Sequence, residues 1–305
     1  MRVASEFRIL GLGTVTVDHV LTVPSYPESD SKNEAIDSCY QVGGPVPIAL
    51  SQLKRFGHSA DFLSLWGDDA WGDVIEDRLK RENIGFRSRS RKSISSSVTQ
   101  IWREQETGQR TLVTSRVDGG LLAGMVSEEF ISQFDLLHLD CWPTEAALKA
   151  AEMMKEQGGL VSIDTGSPKP GVEKLLELAD IVNCPQRFCQ QFIGEFDLRK
   201  AAKRIAEFGP KYVTVTAGEH GAALAANGEV YFRQSRQLSR TVDTNGAGDS
   251  FSGALIHGVL RSWSHEKILE FAVACAGLKC EQLGNERALP TKEMVLRVLQ
   301  DNANC

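Results

Sequence analysis

No stretch of the 305-residue chain approaches the roughly 20 consecutive apolar residues that a membrane-spanning helix needs. The opening residues, Met1-Arg2-Val3-Ala4-Ser5-Glu6-Phe7, lack the long apolar centre of a secretory signal. Positive charge is not in surplus. Lys and Arg number 34 against 40 Asp and Glu, a formal net charge of -6, which speaks against a general nucleic-acid binder. The seven cysteines form no C-x-x-C pair, so neither a zinc ribbon nor a disulfide framework is indicated, and reduced thiols in a cytoplasmic protein are expected. There is no G-x-x-x-x-G-K-[ST] loop, so any phosphate site has to be built another way. Low-complexity tracts are missing too. What remains, 42% hydrophobic and 24% charged residues, is the composition of an ordinary globular protein long enough for one sizeable core.

The stretch that is present and informative is Thr241-Val242-Asp243-Thr244-Asn245-Gly246-Ala247-Gly248-Asp249-Ser250-Phe251-Ser252-Gly253-Ala254. It ends an extended run, turns through two glycines and opens a helical apolar pattern at Phe251, Ala254, Leu255, Val259 and Leu260. Gly246 and Gly248 permit backbone angles that a Cβ excludes. A glycine turn feeding a helix N-terminus aims N–H groups and the positive end of the helix dipole at one spot, an anion site. Asp249 stands at that spot. Either it caps the helix, as Asp often does, or it removes a proton from an attacking hydroxyl while the N–H groups hold the developing charge. A calcium loop is excluded, because Ala247 and Ala254 occupy the fifth and twelfth positions where ligands are required.

Around this stretch the chain alternates strand and helix. Phe7–Gly13 reads as a buried strand. It is no dinucleotide fingerprint, since Thr16 stands in place of the third glycine and strand-like residues 15–23 follow. Gly43-Gly44-Pro45 precedes an amphipathic helix with Ile48, Leu50, Leu53 and Phe56, stopped by Gly57. Ala60–Leu65 is a second strand. Asp68 and Asp69 read as the cap of the helix after it. Residues 86–96, with Arg87, Arg89, Arg91, Lys92 and Ser93, read as a solvated loop. Strands at 98–104 and 110–114 flank a turn and make a hairpin. From 134 onward, strands at 134–139, 160–163, 181–182 and 212–216 alternate with helices at 144–157, 172–178 and 198–208. This rhythm predicts right-handed βαβ units on a parallel sheet. Loops after such strands carry ligands, which puts Asp140, Asp164, Asn183 and the Thr216–Gly221 loop on one rim. Two further helices follow, at 267–279 and 291–300.

The run Asp243-Thr244-Asn245-Gly246-Ala247-Gly248-Asp249 resembles the D-T-x-G-A-G-D signature of the ribokinase/PfkB sugar kinases, and Phe251 and Gly253 fit the same pattern. The resemblance covers about residues 7–300. It implies an α/β fold: a three-layer α/β/α ribokinase-like core with a mainly parallel central sheet and a small β-sheet lid. Residues 1–305 would form a single kinase domain, with lid strands from about 14–40 and 97–115. It further implies an ATP-dependent carbohydrate kinase with Asp249 as catalytic base and Gly246, Ala247 and Gly248 as the anion hole. Asp18, Gly43 and Gly44, with Asp249, would bind the sugar. Asn183, Thr216, Gly218, Gly221, Gly246, Gly248, Ala276 and Cys280 would line the nucleotide. Asp243, Asn245 and Gly284 would hold a monovalent cation such as K+. A lid suits a kinase, which must keep water from the transferred phosphate, and in the family the lid often carries a homodimer contact.

Two departures stand out. Ile48 takes the place of the family's sugar-binding Asn, and Gln186 replaces the Glu of an N-x-x-E segment that helps hold magnesium water. Magnesium is therefore expected to be held chiefly by the ATP phosphates. The ending Ala276-Gly277-Leu278-Lys279-Cys280 resembles ketohexokinase-like and sulfosugar-kinase-like members, which favours a ketose. Two alternatives stay open: a nucleoside kinase of the same fold, with Trp102 or Trp142 stacking on a base, and a non-catalytic sugar or nucleotide sensor.

Overall fold

Alternation along the first strand sets the layers. Ile9 points into one apolar core and Leu10 and Leu12 into another, because neighbouring side chains of a strand face opposite ways. A sheet with an apolar core on each face requires helices on both. The computed structural model describes residues 7–88, 94–236 and 240–303. The expectations placed on residues 1–6 and on Arg89, Arg91, Lys92 and Ser93 lie outside the described residues.

The strands run, in chain order, β1 (Arg8–Leu12), β2 (Thr16–Val23), β3 (Asp37–Gly43), β4 (Ser59–Ser64), β5 (Gly85–Ser88), β6 (Val98–Glu104) and β7 (Arg110–Ser115). There follow β8 (Leu136–Leu139), β9 (Leu160–Asp164), β10 (Ile181–Pro185), β11 (Tyr212–Thr216), β12 (Ala222–Ala226) and β13 (Glu229–Arg233). Nine of them form the central sheet, in the order β13-β12-β11-β10-β9-β8-β1-β4-β5. It is parallel from β5 to β11 and antiparallel only at the β11–β12–β13 edge. The other four make a separate sheet, β3-β2-β6-β7, mostly antiparallel, with β2 and β6 parallel. This small sheet is the lid.

Chain order reverses direction at β1, which sits between β8 and β4. Such a switch point leaves a crevice beyond the carboxyl ends of the strands, where ligands bind in open α/β sheets. One face of the sheet carries the Pro45–Arg55, Ala247–Leu260 and His265–Cys280 helices, and the other carries Thr144–Glu156, Val172–Leu178 and Leu198–Ala206. The Ala247–Leu260 helix is buried almost throughout. A Cβ on Gly253 would stand 2.9 Å from Ala49 O, and one on Gly258 3.0 Å from Ile268 Cγ1. Those two glycines let three helices pack at close range.

Three strands depart from the sequence reading. β12 is an alanine run, a helix former by propensity, yet it pairs in the sheet. The Asn227-Gly228 turn joining it to β13, with φ of 52° and 80°, is a two-residue hairpin signal of the kind that fixes strand pairing. β5 lies where a solvated loop is expected. It is a short edge strand with half-exposed residues, so it carries little apolar pattern. A helix at Gln186–Ile193 is a further element, in a stretch that the sequence reading left unassigned. Asp69 is a helix cap as expected: its Oδ1 accepts from Gly72 N at 2.9 Å, and Ser96 N and Oγ also donate to its carboxylate.

Candidate active site

Gly246 is the N-cap of the Ala247–Leu260 helix, at φ 78°. L-residues rarely adopt that angle. A Cβ there would also lie 2.6 Å from the buried Asn285 Oδ1. Gly248, two residues on, is the opposite case: no atom of another part of the protein lies within 4 Å of where its Cβ would stand. It opens onto a cavity of about 960 Å³ whose wall also includes Thr216, Gly218, Gly221, Ala276 and Cys280. Ala247 N donates to Thr244 O at 3.3 Å, closing the turn. The N–H groups of Gly248 and Asp249 belong to a first helical turn, which has no acceptor within the helix. They are the donors such a turn offers to an anion.

Asp249 is half-buried, next to the cavity-lining Gly248. Even so, the protein around it pushes its carboxyl up to about 7, burial first and the neighbouring Asp164 charge second, with Arg110 and Lys279 pulling the other way. A carboxylate that gains its proton near neutral pH is matched to general base work. Asp164 itself is turned inward. Its Oδ2 accepts from Ser252 Oγ at 2.8 Å and from Asn183 Nδ2 at 3.4 Å. Burial also raises its carboxyl.

Across the turn from Asp249, another buried carboxylate near it is Asp18. It is buried, and its Oδ1 accepts from Thr16 Oγ1 at 2.7 Å. Burial raises its carboxyl above the usual range against that bond. Gly43 lies against it: a Cβ at 43 would stand 2.2 Å from Asp18 Oδ2. Gly44, at φ 110°, would drive a Cβ to 2.4 Å from Thr14 O. The glycine doublet is thus needed so that the start of the Pro45–Arg55 helix can approach β2. Ile48 is buried, with Cδ1 beside Gly246, so an apolar side chain fills the place where the resemblance expects an amide.

Asn245 joins the two sides. Its Nδ2 donates to Asp18 Oδ2 at 3.5 Å, its backbone N–H donates to Asp243 Oδ1 at 2.9 Å, and its Oδ1 accepts from Arg110 Nη1 at 2.7 Å. Arg110 comes from lid strand β7 and lines the large cavity. Arg103, from β6, donates to Val242 O at 2.9 Å and to Thr22 Oγ1 at 3.0 Å. The lid therefore grips the glycine turn directly. Arg103, Arg110, Lys279 and Asn285 were not among the residues singled out from sequence.

Other expected residues sit elsewhere. Asn183 is buried beneath the helix, donating to Ser252 Oγ at 3.0 Å and weakly to Gly248 O at 3.5 Å, so it supports the turn rather than lining the cavity. Gln186 is turned away, its Nε2 on Phe196 O at 2.8 Å. Asp140 binds the switch-point loop, accepting from Thr14 N at 2.9 Å and Trp142 N at 3.0 Å. Gly284 meets the Asp243 carboxylate with its N–H, 3.0 Å from Oδ2, instead of offering an oxygen to a cation. Among the described residues no group of three or more His, Cys, Asp or Glu is arranged to hold a metal.

Comparison with known proteins agrees with the fold. The family model described as "pfkB family carbohydrate kinase" matches residues 8–292. A ribokinase of Haemophilus influenzae is 23% identical over 298 residues, covering 95% of this chain and 97% of its own. A 5-dehydro-2-deoxygluconokinase of Clostridium perfringens is 25% identical over 315 residues, covering 95% and 92%. The crystal structure of Arabidopsis thaliana ribokinase complexed with ribose and ATP superposes with a TM-score of 0.79 at 21% identity, covering 96% of this chain and 99% of its own.

Proposed function

This chain belongs to the pfkB family of carbohydrate kinases, and we propose that it transfers the γ-phosphoryl group of ATP to a hydroxyl of a ketose or a related carbohydrate. The observation that carries the proposal is Asp249: a carboxylate held near neutrality on the first turn of a helix whose N–H groups open onto the large cavity. The sugar hydroxyl gives its proton to Asp249 as its oxygen attacks phosphorus. The Gly248 and Asp249 N–H groups, with the helix dipole behind them, hold the charge that builds on the phosphoryl oxygens. Asp18 accepts hydrogen bonds from sugar hydroxyls and orients the attacking one. Thr216, Gly218, Gly221, Ala276 and Cys280 surround the nucleotide. The Arabidopsis ribokinase structure holds ribose and ATP, which supports a sugar and a nucleotide as the two ligands of this fold.

Magnesium bound to the phosphates would neutralise charge there. Because Gln186 faces Phe196 and Asp164 faces Ser252, the phosphates and water would be its main ligands. A monovalent cation at Asp243, Asn245 and Gly284 does not fit, since the Asp243 carboxylate already receives the N–H groups of Asn245 and Gly284 and the ammonium of Lys279. Tyr40, Leu112 and Val113 are exposed on lid strands and support a homodimer formed through the lid. Six free thiols among the described residues suit a reducing cytoplasm.

The test is a panel of ketoses, aldoses, sugar acids and nucleosides assayed for ADP release with Mg-ATP. A sugar, and a ketose among the best, should be phosphorylated. Turnover with nucleosides alone would overturn the acceptor class, and binding of ATP without turnover of anything would favour the sensor.

A further inference from the structure

Lys279 is the only lysine among the described residues that is buried, with no exposed surface. A buried ammonium is costly unless paired and hydrogen-bonded. Its Nζ lies 3.0 Å from the Asp243 carbonyl oxygen and 3.2 Å from Asp243 Oδ2. Burial pulls its proton affinity down and Asp243 pushes it back up. One carbonyl and one carboxylate oxygen on a single residue are the donors a monovalent cation would seek. Here they face an ammonium, which has the charge of potassium and about its size.

The position of this contact gives it consequence. Asp243 O and Thr244 N–H belong to one peptide unit, three residues before the N-cap Gly246 is complete, and Thr244 lines the large cavity. A cation on a carbonyl polarises its peptide and strengthens the N–H on the far side. Residues on either side of Asp243 are also held by cations, Val242 O by Arg103 and, two positions on, Asn245 Oδ1 by Arg110. The backbone of α-helical residue 280 closes the register: Val242 N and Asp243 N both donate to Cys280 O, at 2.8 and 3.2 Å.

We propose that the Lys279 ammonium is a built-in monovalent cation: seated on Asp243 O and Oδ2, it holds the 243–246 turn so that the helix N–H groups face the transferred phosphoryl, and it makes the enzyme indifferent to K+. Lys279 is a positioning residue here, acting through the turn and not on substrate. This inference rests on the glycine turn being the phosphate site.

The first experiment needs no variant. Turnover of the wild-type protein is measured in KCl, NaCl and choline chloride at one ionic strength. Rates equal within about twofold are expected, because no exchangeable cation is used. Saturable activation by K+ over choline would overturn the proposal. The second experiment uses Lys279→Ala, which vacates the seat, and Lys279→Met, which fills it without charge. In choline both should lose about tenfold or more in kcat, the scale of a misplaced catalytic group, with a smaller change in the KM for ATP. Potassium or ammonium should restore Lys279→Ala saturably and leave Lys279→Met unimproved. An Ala variant with the wild-type rate in choline, or one that neither ion restores, overturns the proposal. Melting temperatures of the ADP complexes give a readout free of the acceptor. KCl should raise that of Lys279→Ala over choline and leave the wild type unmoved. If K+ stabilises only the Ala variant while no sugar is phosphorylated, the cation seat stands and the kinase reading falls. If Lys279→Ala does not fold, the wild-type cation series alone decides.

Discussion

The proposed phosphate end and the proposed acceptor end of the crevice are held to very different standards. At the phosphate end, residues 242–245 are gripped by Arg103, Lys279 and Arg110, drawn from two lid strands and a helix. At the acceptor end, Asp18 is set by Thr16, Asn245 and the bare backbone of Gly43, and the neighbouring position is an apolar Ile48. A reaction common to a whole family needs its charge-stabilising donors fixed within a fraction of an ångström. An acceptor pocket has to fit only one molecule and can be rebuilt side chain by side chain. The two ends should therefore respond differently to single substitutions.

The largest response belongs to Asp249. Asp249→Asn keeps the shape and removes the base, so kcat should fall by about 10²–10⁴, while the Kd for ATP, measured by titration, holds. The same change should stabilise the fold in alkaline solution. A carboxyl raised to about 7 in the folded state titrates near 4 when unfolded. The folded protein then loses stability as pH rises between those values. Asn escapes that loss, so its melting temperature should exceed the wild type's at pH 8 and match it near pH 4. An unaltered rate would remove the base assignment.

Two glycines sharpen the contrast between the ends. Gly43→Ala pushes a Cβ onto the buried Asp18 carboxylate, 2.2 Å away, and should cost about 10²-fold in kcat/KM for the sugar with ATP affinity kept. Gly248→Ala meets no protein atom. It should melt like the wild type and yet bind ATP more weakly, because its methyl group enters the cavity. Loss of ATP binding in Gly43→Ala, or of stability in Gly248→Ala, would erase the division into two ends.

The third test is a pH profile. With the base protonated below about 7, kcat/KM should climb through that pH and level off above it. Asp164 is the charge that most raises the Asp249 carboxyl after burial. Removing it in Asp164→Asn should move the acid limb to lower pH. A limb that stays in place would show burial acting alone.

How much of this was readable beforehand follows from distance along the chain. The turn at 243–249 is local: two glycines between two aspartates in seven residues fix their own geometry, so the turn and the helix start after it were legible there. The doublet Gly43-Gly44 was visible as a local signal, Asp18 was singled out only by the resemblance, and the structure supplies the contact between them. The residues that grip the turn were not. Arg103 lies 139 positions from Val242, Arg110 135 from Asn245 and Lys279 36 from Asp243. Nothing in a basic residue on a strand or helix says which carbonyl it will meet. The parallel sheet was visible in the strand–helix rhythm, because buried strands are apolar throughout. The β12–β13 edge was hidden by its alanines, whose propensity points to helix and whose pairing is decided by tertiary contacts.

Ile48 gives the smallest and most discriminating change. It is buried next to Gly246, at the place where the resemblance leads one to expect a sugar-holding amide. Ile48→Asn introduces an amide whose donors and acceptor have no protein partner prepared for them, at a cost of about 1–3 kcal/mol. The variant should melt lower when empty. An acceptor hydroxyl facing residue 48 would satisfy the amide and return part of that stability, and a panel of sugars would then rank differently by up to about tenfold in kcat/KM. An acceptor that presents carbon there would lose affinity by a similar factor. If the order of sugars is the same in both proteins, residue 48 does not face the acceptor, and its apolar character serves the packing under Gly246 instead. The phosphate end should be silent in either event, since Ile48 offers no group to the nucleotide.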